Sequence, residues 1–335
     1  MRRIAMLLTA SVLVTGCSGE KSSSAAPDGH RALAVPTVSA PRQAVPAAVA
    51  TDTTLPKVSG EFGRRAALTI PKEKPSGKFV VTSLLQGHGP RIGDNDVVVV
   101  DYTAKTWKSG TDLPGTYNEG QGPKVFPVGR GAVIPALDRA VRGQQAGSRV
   151  LVVAPPAAAY GASGNAGLKV AGTDTVVFVI DIKKVIGAKS TVRGQQQEVP
   201  DTLPQVHADR SGVTLAIPGT GAPKRLESRS LVEGSGRRIA AGDTVVLRHA
   251  GAVWGANRGE EQATLFDSSW LQGPGVAVVG RGNLIKGLDQ ALVGAEVGSR
   301  MLLVVPPELA YGSQAQKDIP ARSTLVFVVD ILAAE

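Results

Sequence analysis

Histidine and cysteine are scarce in this 335-residue sequence, four and one, and no spacing of nucleophiles, acid–base pairs or metal ligands suits those chemistries. The four histidines, His30, His88, His207 and His249, are dispersed, with no second ligand at metal spacing. Cys17 is the only cysteine, so no disulfide or thiolate chemistry is available to the folded part. Asp138 and Asp289 stand beside basic or polar residues on predicted helices, as on a solvated face and not as an acid–base pair. No Gly-x-Ser-x-Gly elbow occurs. Gly-Arg-Gly at 129–131 and 280–282 invites a dinucleotide reading, but isoleucine stands at 134 and 285, where the third glycine belongs. An enzyme built on this chain would need no nucleophile, metal or cofactor.

What the sequence does carry is a duplication. PPAAAYG (155–161) returns as PPELAYG (306–312), and the whole block from Gly129 to Gly161 returns from Gly280 to Gly312. LPKV (55–58) is answered by LPQV (203–206), VVVVDYT (97–103) by TVVLRHA (244–250), and TVVFVIDI (175–182) by TLVFVVDI (324–331). Two copies are too few for a solenoid, so each is expected to fold as its own domain, at 55–187 and 203–335, with 188–202 as a polar hinge. Val176, Phe178, Ile180 and Ile182 alternate with Asp181 and Lys183, which predicts a sheet with one dry face; Leu325, Phe327, Val329 and Ile331, opposite Asp330, predict the same. Ile134, Leu137 and Val141, matched by Ile285, Leu288 and Leu292, mark one short amphipathic helix per copy. The fold class is α+β, a helix laid on the dry face of a sheet.

The start reads as a leader. Arg2 and Arg3 precede an apolar run from Ile4 to Val14 that is too short to span a bilayer, and Val14-Thr15-Gly16-Cys17 looks like a bacterial lipobox. Residues 1–17 are therefore expected to be a signal peptide with Cys17 as the lipidation site, and 18–54, rich in Ala, Pro, Ser and Thr, a disordered tether. The body would then be exported and lipid-anchored to the outer face of the bacterial cytoplasmic membrane. The formal charge of +9 comes from scattered basic residues, which suits anionic surfaces and argues against nucleic acid.

Together the FDSSW segment (266–270), the Gly-x-Gly-x-[Val/Leu]-Ile blocks, the two Ala-Tyr-Gly segments and the Thr-[Leu/Val]-Val-Phe strands resemble the FKBP family of peptidyl-prolyl isomerases, twice over. The resemblance implies two domains, each a twisted antiparallel sheet wrapped around one short helix with an apolar cleft between. It places Phe266, Asp267, Ile285, Tyr311 and Phe327 as the catalytic set of the second copy, with His249, Leu284, Leu288 and Ile319 lining the substrate. In the first copy it places Tyr102, Phe126, Val133, Ile134, Leu137, Tyr160, Val170 and Phe178 as substrate-binding. His249 stands where the family usually has tyrosine, and Leu288 where it has a tryptophan floor. Leu113 and Pro114 replace Phe266 and Asp267 in the first copy. On strand faces alone Phe178, Phe327, Ile134 and Ile285 read as plain core, and only the resemblance gives them a cleft.

The implied function is prolyl isomerisation that assists folding of exported proteins, with the second domain the more active. The substrates would be Pro-containing segments of unfolded chains, with macrocyclic FKBP inhibitors as possible ligands. The alternative is a non-catalytic adaptor or holdase that grips extended peptide in the same clefts.

Overall fold

The computed structural model describes residues 44–335. The leader, Cys17 and most of the spacer lie outside the described residues. In chain order the strands are β1 (Ala48–Val49), β2 (Lys57–Ser59), β3 (Ala67–Thr69), β4 (Phe79–Leu85), β5 (Val97–Thr106), β6 (Asp112–Leu113) and β7 (Lys124–Pro127). Helix α1 (Pro135–Val141) leads to β8 (Arg149–Ala154) and β9 (Val176–Ile186). The second copy runs β10 (Gln205–Ala208), β11 (Val213–Ala216), β12 (Glu227–Val232), β13 (Thr244–Val253), β14 (Leu265–Ser268), β15 (Gly275–Val278), α2 (Lys286–Leu292), β16 (Arg300–Val305) and β17 (Leu325–Ala334). The first sheet has the order β1-β4-β8-β9-β5-β6, with β7 also on β5; the second has β12-β16-β17-β13-β14, with β15 also on β13. Every pairing is antiparallel except β1 with β4. The copies share even their irregularities, a register shift at Val99/Val100 being matched by one at Val246/Leu247.

Each helix closes the inner face of its sheet, and Leu137, Val141, Leu288 and Leu292 are buried at the expected spacing. Ile134 and Ile285 fall one residue outside, at the helix N-caps.

The expectation of a single dry face is corrected. Val177 and Val179 are as buried as their inner neighbours, and Asp181 and Asp330 are 1% and 0% exposed. The cause is a hairpin that each copy lays across its outer face. β2–β3 brings Leu55, Val58, Leu68 and Ile70 against Leu151, Val153, Val177 and Val179. β10–β11 brings Leu203, Val206 and Leu215 against Leu302, Val304, Val326 and Val328. The repeated Leu-Pro-x-Val is the leading edge of this cover.

Beneath each hairpin lies a buried ion pair. Arg149 donates through Nε and Nη2 to the two carboxylate oxygens of Asp181 at 2.6 and 2.7 Å, and Arg300 does the same to Asp330 at 2.6 and 2.9 Å. A buried charge is tolerable only when its remaining hydrogen-bonding capacity is met. In the first copy Asp181 also accepts from Gly63 N and the Tyr117 hydroxyl, and Arg149 reaches the carbonyls of Gly60 and Arg64. Burial first, and then Asp181, pushes the Tyr117 hydroxyl well above the usual phenol range. In the second copy Asp330 accepts from Thr191 Oγ1 and Val192 N, and Arg300 donates to Ala208 O.

Residues 188–202 were expected to be a hinge. Instead Ala188 N donates to Asp96, Arg248 donates to Ala188 O, and Val192 is buried over Asp330. The two sheets also meet directly. Val97, Val99, Val125 and Val246 form one buried cluster with Ile186, Val276 and Leu332 against it, and Lys184 Nζ lies 2.6 Å from Glu335.

Residues 44–54, expected to belong to the spacer, are laid on the first sheet. Ala48 and Val49 pair with Phe79 and Val80, Val45 packs on the core, and Arg139 donates to the carbonyls of Val45 and Pro46.

Candidate functional site

The second cleft is built where β13, β14 and β17 meet. His249 and Gly251 alternate onto one face of β13, and Gly251 lies opposite Phe327 on β17 and Asp267 on β14. The next pair on β14 is Ala252 with Leu265, so Phe266 is left in a bulge. A bulge frees a residue from the ladder and re-aims its side chain. Here the Phe266 ring meets Phe327 edge-on, with centroids 5.7 Å apart and planes at 87°. A Cβ added at Gly251 would fall 2.5 Å from Phe266 and 2.9 Å from Phe327, so the aromatic pair depends on glycine there. Sequence reasoning missed Gly251; a lone glycine inside the strand TVVLRHAGAV is the sign of close approach that could have found it.

Gly251→Ala is therefore expected to push the partly exposed Phe266 aside, because Phe327, at 0% exposure, cannot yield. Stability should fall by about 1–3 kcal/mol. The 5.7 Å ring pair, read from an aromatic region of the circular dichroism spectrum, should be lost. An unchanged spectrum would refute the dependence.

Leu284, Ile285, Leu288 and Ile319 are 3%, 3%, 1% and 6% exposed and pack into the same core as Phe327. Tyr311 and Phe266 are partly exposed, so they form the mouth of the cleft. Tyr311 is carried by a single 3₁₀ turn at Pro307–Leu309, closed by Gly312 N donating to Pro307 O at 2.8 Å, with Gly312 at φ +59°. Tyr160 is carried the same way at Pro156–Ala158, with Gly161 N on Pro156 O at 2.7 Å. This is the structural work of the repeated Pro-Pro and Tyr-Gly.

At the rim His249, itself 5% exposed, places Nε2 2.9 Å from Oδ2 of the exposed Asp267. Its Nδ1 is buried with no hydrogen-bond partner among the described residues. With Nδ1 unpartnered, Nε2 is the ring nitrogen that meets the carboxylate. Histidine thus still reaches the rim carboxylate.

The first cleft has a different mouth. Ala104 replaces Gly251, opposite Phe178 and Leu113, so a methyl group and an aliphatic side chain stand where the second ring was. Tyr102 packs edge-on to Phe178 at 6.1 Å instead. Burial pushes both Tyr102 and Tyr160 upward in pKa, and Tyr160 is raised further by Tyr102. Tyr102, Val133, Ile134 and Tyr160 are partly exposed, whereas Leu137, Val170 and Phe178 form a buried floor at 6%, 4% and 2%. Phe126 pairs with β5 at Val98 and is 1% exposed, a core residue of the sheet's end. Pro114 is exposed, next to the buried Leu113.

The Gly-Arg-Gly loops and the helix aspartates explain each other. Asp289 accepts from Gly280 N and Gly282 N at 2.9 and 2.8 Å, and Asp138 accepts from Gly129 N at 2.8 Å. All four loop glycines have φ between +66° and +81°, the left-handed region that other residues avoid. The aspartates are loop clamps and not a solvated face, and burial, outweighing the Gly129 bond that lowers it, pushes Asp138 upward. Trp270 of FDSSW also leaves the cleft: it lies in the outer-face cluster, where its Nε1 donates to Asp209 O at 2.8 Å.

A family model for FKBP-type peptidyl-prolyl cis-trans isomerases matches the chain twice, over residues 89–183 and 235–332. The chain belongs to this family. Both FKBP matches begin after the outer-face hairpins, which lie outside them. Peptidyl-prolyl cis-trans isomerase FKBP10 of Bos taurus is 30% identical over 256 residues, covering 76% of this chain and 37% of the relative. FKBP9 of Rattus norvegicus is 26% identical over 228 residues, covering 68% and 33%. FK506-binding protein 4 of Chaetomium thermophilum is 40% identical over 99 residues, covering 30% and 19%. The chain spans about a third of the length of the FKBP10 and FKBP9 relatives it matches. Among solved structures, the three FKBP domains of wheat FKBP73 align with a TM-score of 0.33 at 23% identity, covering 78% of this chain and 96% of that one.

Proposed function

We propose that the chain is a peptidyl-prolyl cis-trans isomerase that acts on Pro-containing segments of unfolded exported proteins. The observation that carries this reading is the edge-to-face pair of Phe266 and Phe327 beneath Tyr311, with Asp267 at the rim. Rotation about an X-Pro bond meets a barrier of about 20 kcal/mol, because the planar amide is stabilised by charge separation. An apolar cleft withdraws the water that favours that charge-separated form. A rim hydroxyl that bonds better to the twisted amide than to the planar one lowers the barrier further. Each ~1.4 kcal/mol of such preference gives about tenfold in rate, and no covalent bond has to break.

The second domain is proposed as the more active, since it alone keeps both rings and the rim carboxylate. The first, whose mouth is lined by the partly exposed Tyr102, Val133, Ile134 and Tyr160, is proposed to hold peptide and to isomerise it weakly. Macrocyclic inhibitors of the family should compete at either cleft. Cys17 is proposed as the acylated residue, with the body exported and held at the outer face of the cytoplasmic membrane.

The test is a proline-limited refolding assay on the full chain, because separate domains would expose the buried seam of Val97, Val99 and Val246. Phe266→Ala should slow catalysis about tenfold, the loss of ~1.4 kcal/mol of transition-state preference, and Tyr160→Ala should leave most of it. The reverse order would overturn the ranking. The holdase reading has one observation in its favour, the Leu113 and Pro114 replacement in the first cleft. Suppressed aggregation with unchanged refolding rate would decide for it.

A further inference from the structure

The two sheets differ at one edge. On the first, residues 45–50 lie along β4: Ala48–Val49 pair in parallel with Phe79–Val80, and Thr82 Oγ1 donates to Ala50 O at 2.6 Å. Arg139 Nη1 donates to Val45 O and Pro46 O, each at 3.1 Å. On the second sheet β12 is the same strand. Glu227 faces Val304 as Val80 faces Val153, and the register shift at Ser230/Val232 repeats that at Ser83/Leu85. Among the described residues no strand covers the other edge of β12: at its far end Gln197 N donates to Leu231 O at 2.7 Å, while Ser228 and Arg229 are exposed and the edge beside them is open. A row of unpaired backbone groups is a template for another strand.

The donors that hold the first segment have counterparts around the open edge. The offset of the repeat puts Gln290, exposed on α2, where Arg139 stands, and the strand register puts Arg229 where Thr82 stands. Leu226, partly buried against the second core, takes the place of Phe79. The sequence also holds a second version of the docked segment. AVPTVSA (34–40) repeats the Ala-Val-Pro and the final Ala of AVPAAVA (44–50).

We propose that Ala34–Ala40 of a second copy of this chain adds to β12 as a parallel strand, as residues 45–50 add to β4 within the copy. The same copy cannot supply it. Only Pro41, Arg42 and Gln43 separate Ala40 from the segment fixed on β4, a reach of at most about 14 Å. In the first sheet, β8 and β9 alone stand between β4 and the seam strand β5, three inter-strand spacings, or about 14 Å, before the second sheet is reached. Exchange between two copies makes two equal contacts about a two-fold axis, so two short strands act together. Proline ahead of the paired residues is no obstacle, since its carbonyl and not an N–H is what Gln290 would hold.

The experiment is sedimentation equilibrium of the full chain, with a synthetic peptide of residues 33–41 as competitor. A concentration-dependent dimer that the peptide dissociates is expected. Gln290→Arg, which copies the first domain's donor, should tighten the dimer about tenfold through a charge-assisted bond, and Val35→Asp should loosen it without touching the folded body. A chain that stays monomeric while the peptide binds would assign the edge to other polypeptides and overturn the second-copy assignment. A monomer that binds no peptide would overturn the site itself.

Discussion

Replacing Phe327 by alanine is expected to lower the stability of the second domain by about 3–5 kcal/mol. The residue is 0% exposed, sits in the core with Leu284, Leu288 and Leu303, and meets Phe266 edge-on at 5.7 Å. Most of the loss is the cavity left by a wholly buried ring; the edge-to-face contact adds about 0.5–1.5 kcal/mol. Phe266→Ala removes the same contact from a partly exposed residue, so its cost should be near that contact alone. Comparing the two separates a core role from a cleft role, which strand alternation leaves open. If both slow isomerisation while Phe327→Ala shifts the denaturation midpoint far more than Phe266→Ala does, Phe266 belongs to the cleft and Phe327 to cleft and core together. A midpoint for Phe327→Ala within about 1 kcal/mol of the parent, well below the usual cost of emptying a core ring, would mean that the second core is not closed around that ring.

The sheets and helices were legible because their periods are strict. Val176, Phe178, Ile180 and Ile182 announce a strand face, and Ile285, Leu288 and Leu292 a helix stripe, whatever else surrounds them. The outer face was misread for a physical reason. Asp181 and Asp330 at alternating positions signal water, and only the arginines at 149 and 300, far off in sequence, make their burial affordable. The run VVVV at 97–100 did carry a warning, since a strand apolar on both sides is buried on both sides, and Val97 and Val99 indeed meet the second domain. The covering hairpins are three or four residues a strand, too short for a period to show. Of the cleft, the motif residues were legible by resemblance. The bulge that turns Phe266 inward, and the glycine it turns over, depend on register between strands and have no signature within one.

Arg300→Ala is expected to be among the most damaging single changes away from the cleft. It strips Asp330, 0% exposed, of both guanidinium bonds, at 2.6 and 2.9 Å, and leaves a buried carboxylate with only Thr191 and Val192 as donors. Breaking such a pair from one side costs about 3–5 kcal/mol, whereas replacing both partners by apolar residues of similar size is often neutral. Here the double replacement Arg300→Met with Asp330→Leu should not be neutral, because the pair also fastens other parts of the chain. Asp330 holds the connection at Val192, and Arg300 holds the outer hairpin through Ala208 O at 2.6 Å. The double variant should therefore regain much of the thermal stability lost by Arg300→Ala while releasing residues 188–202. Lys189 and Arg193 are exposed on either side of Val192, so trypsin reads the release directly. Rapid cleavage there in the double variant, with the two sheets still folded, is the expected result. Cleavage as slow as in the parent would mean that the connection is held by its apolar contacts and the seam at Val97 and Val246, and that the ion pair is a component of the second core alone.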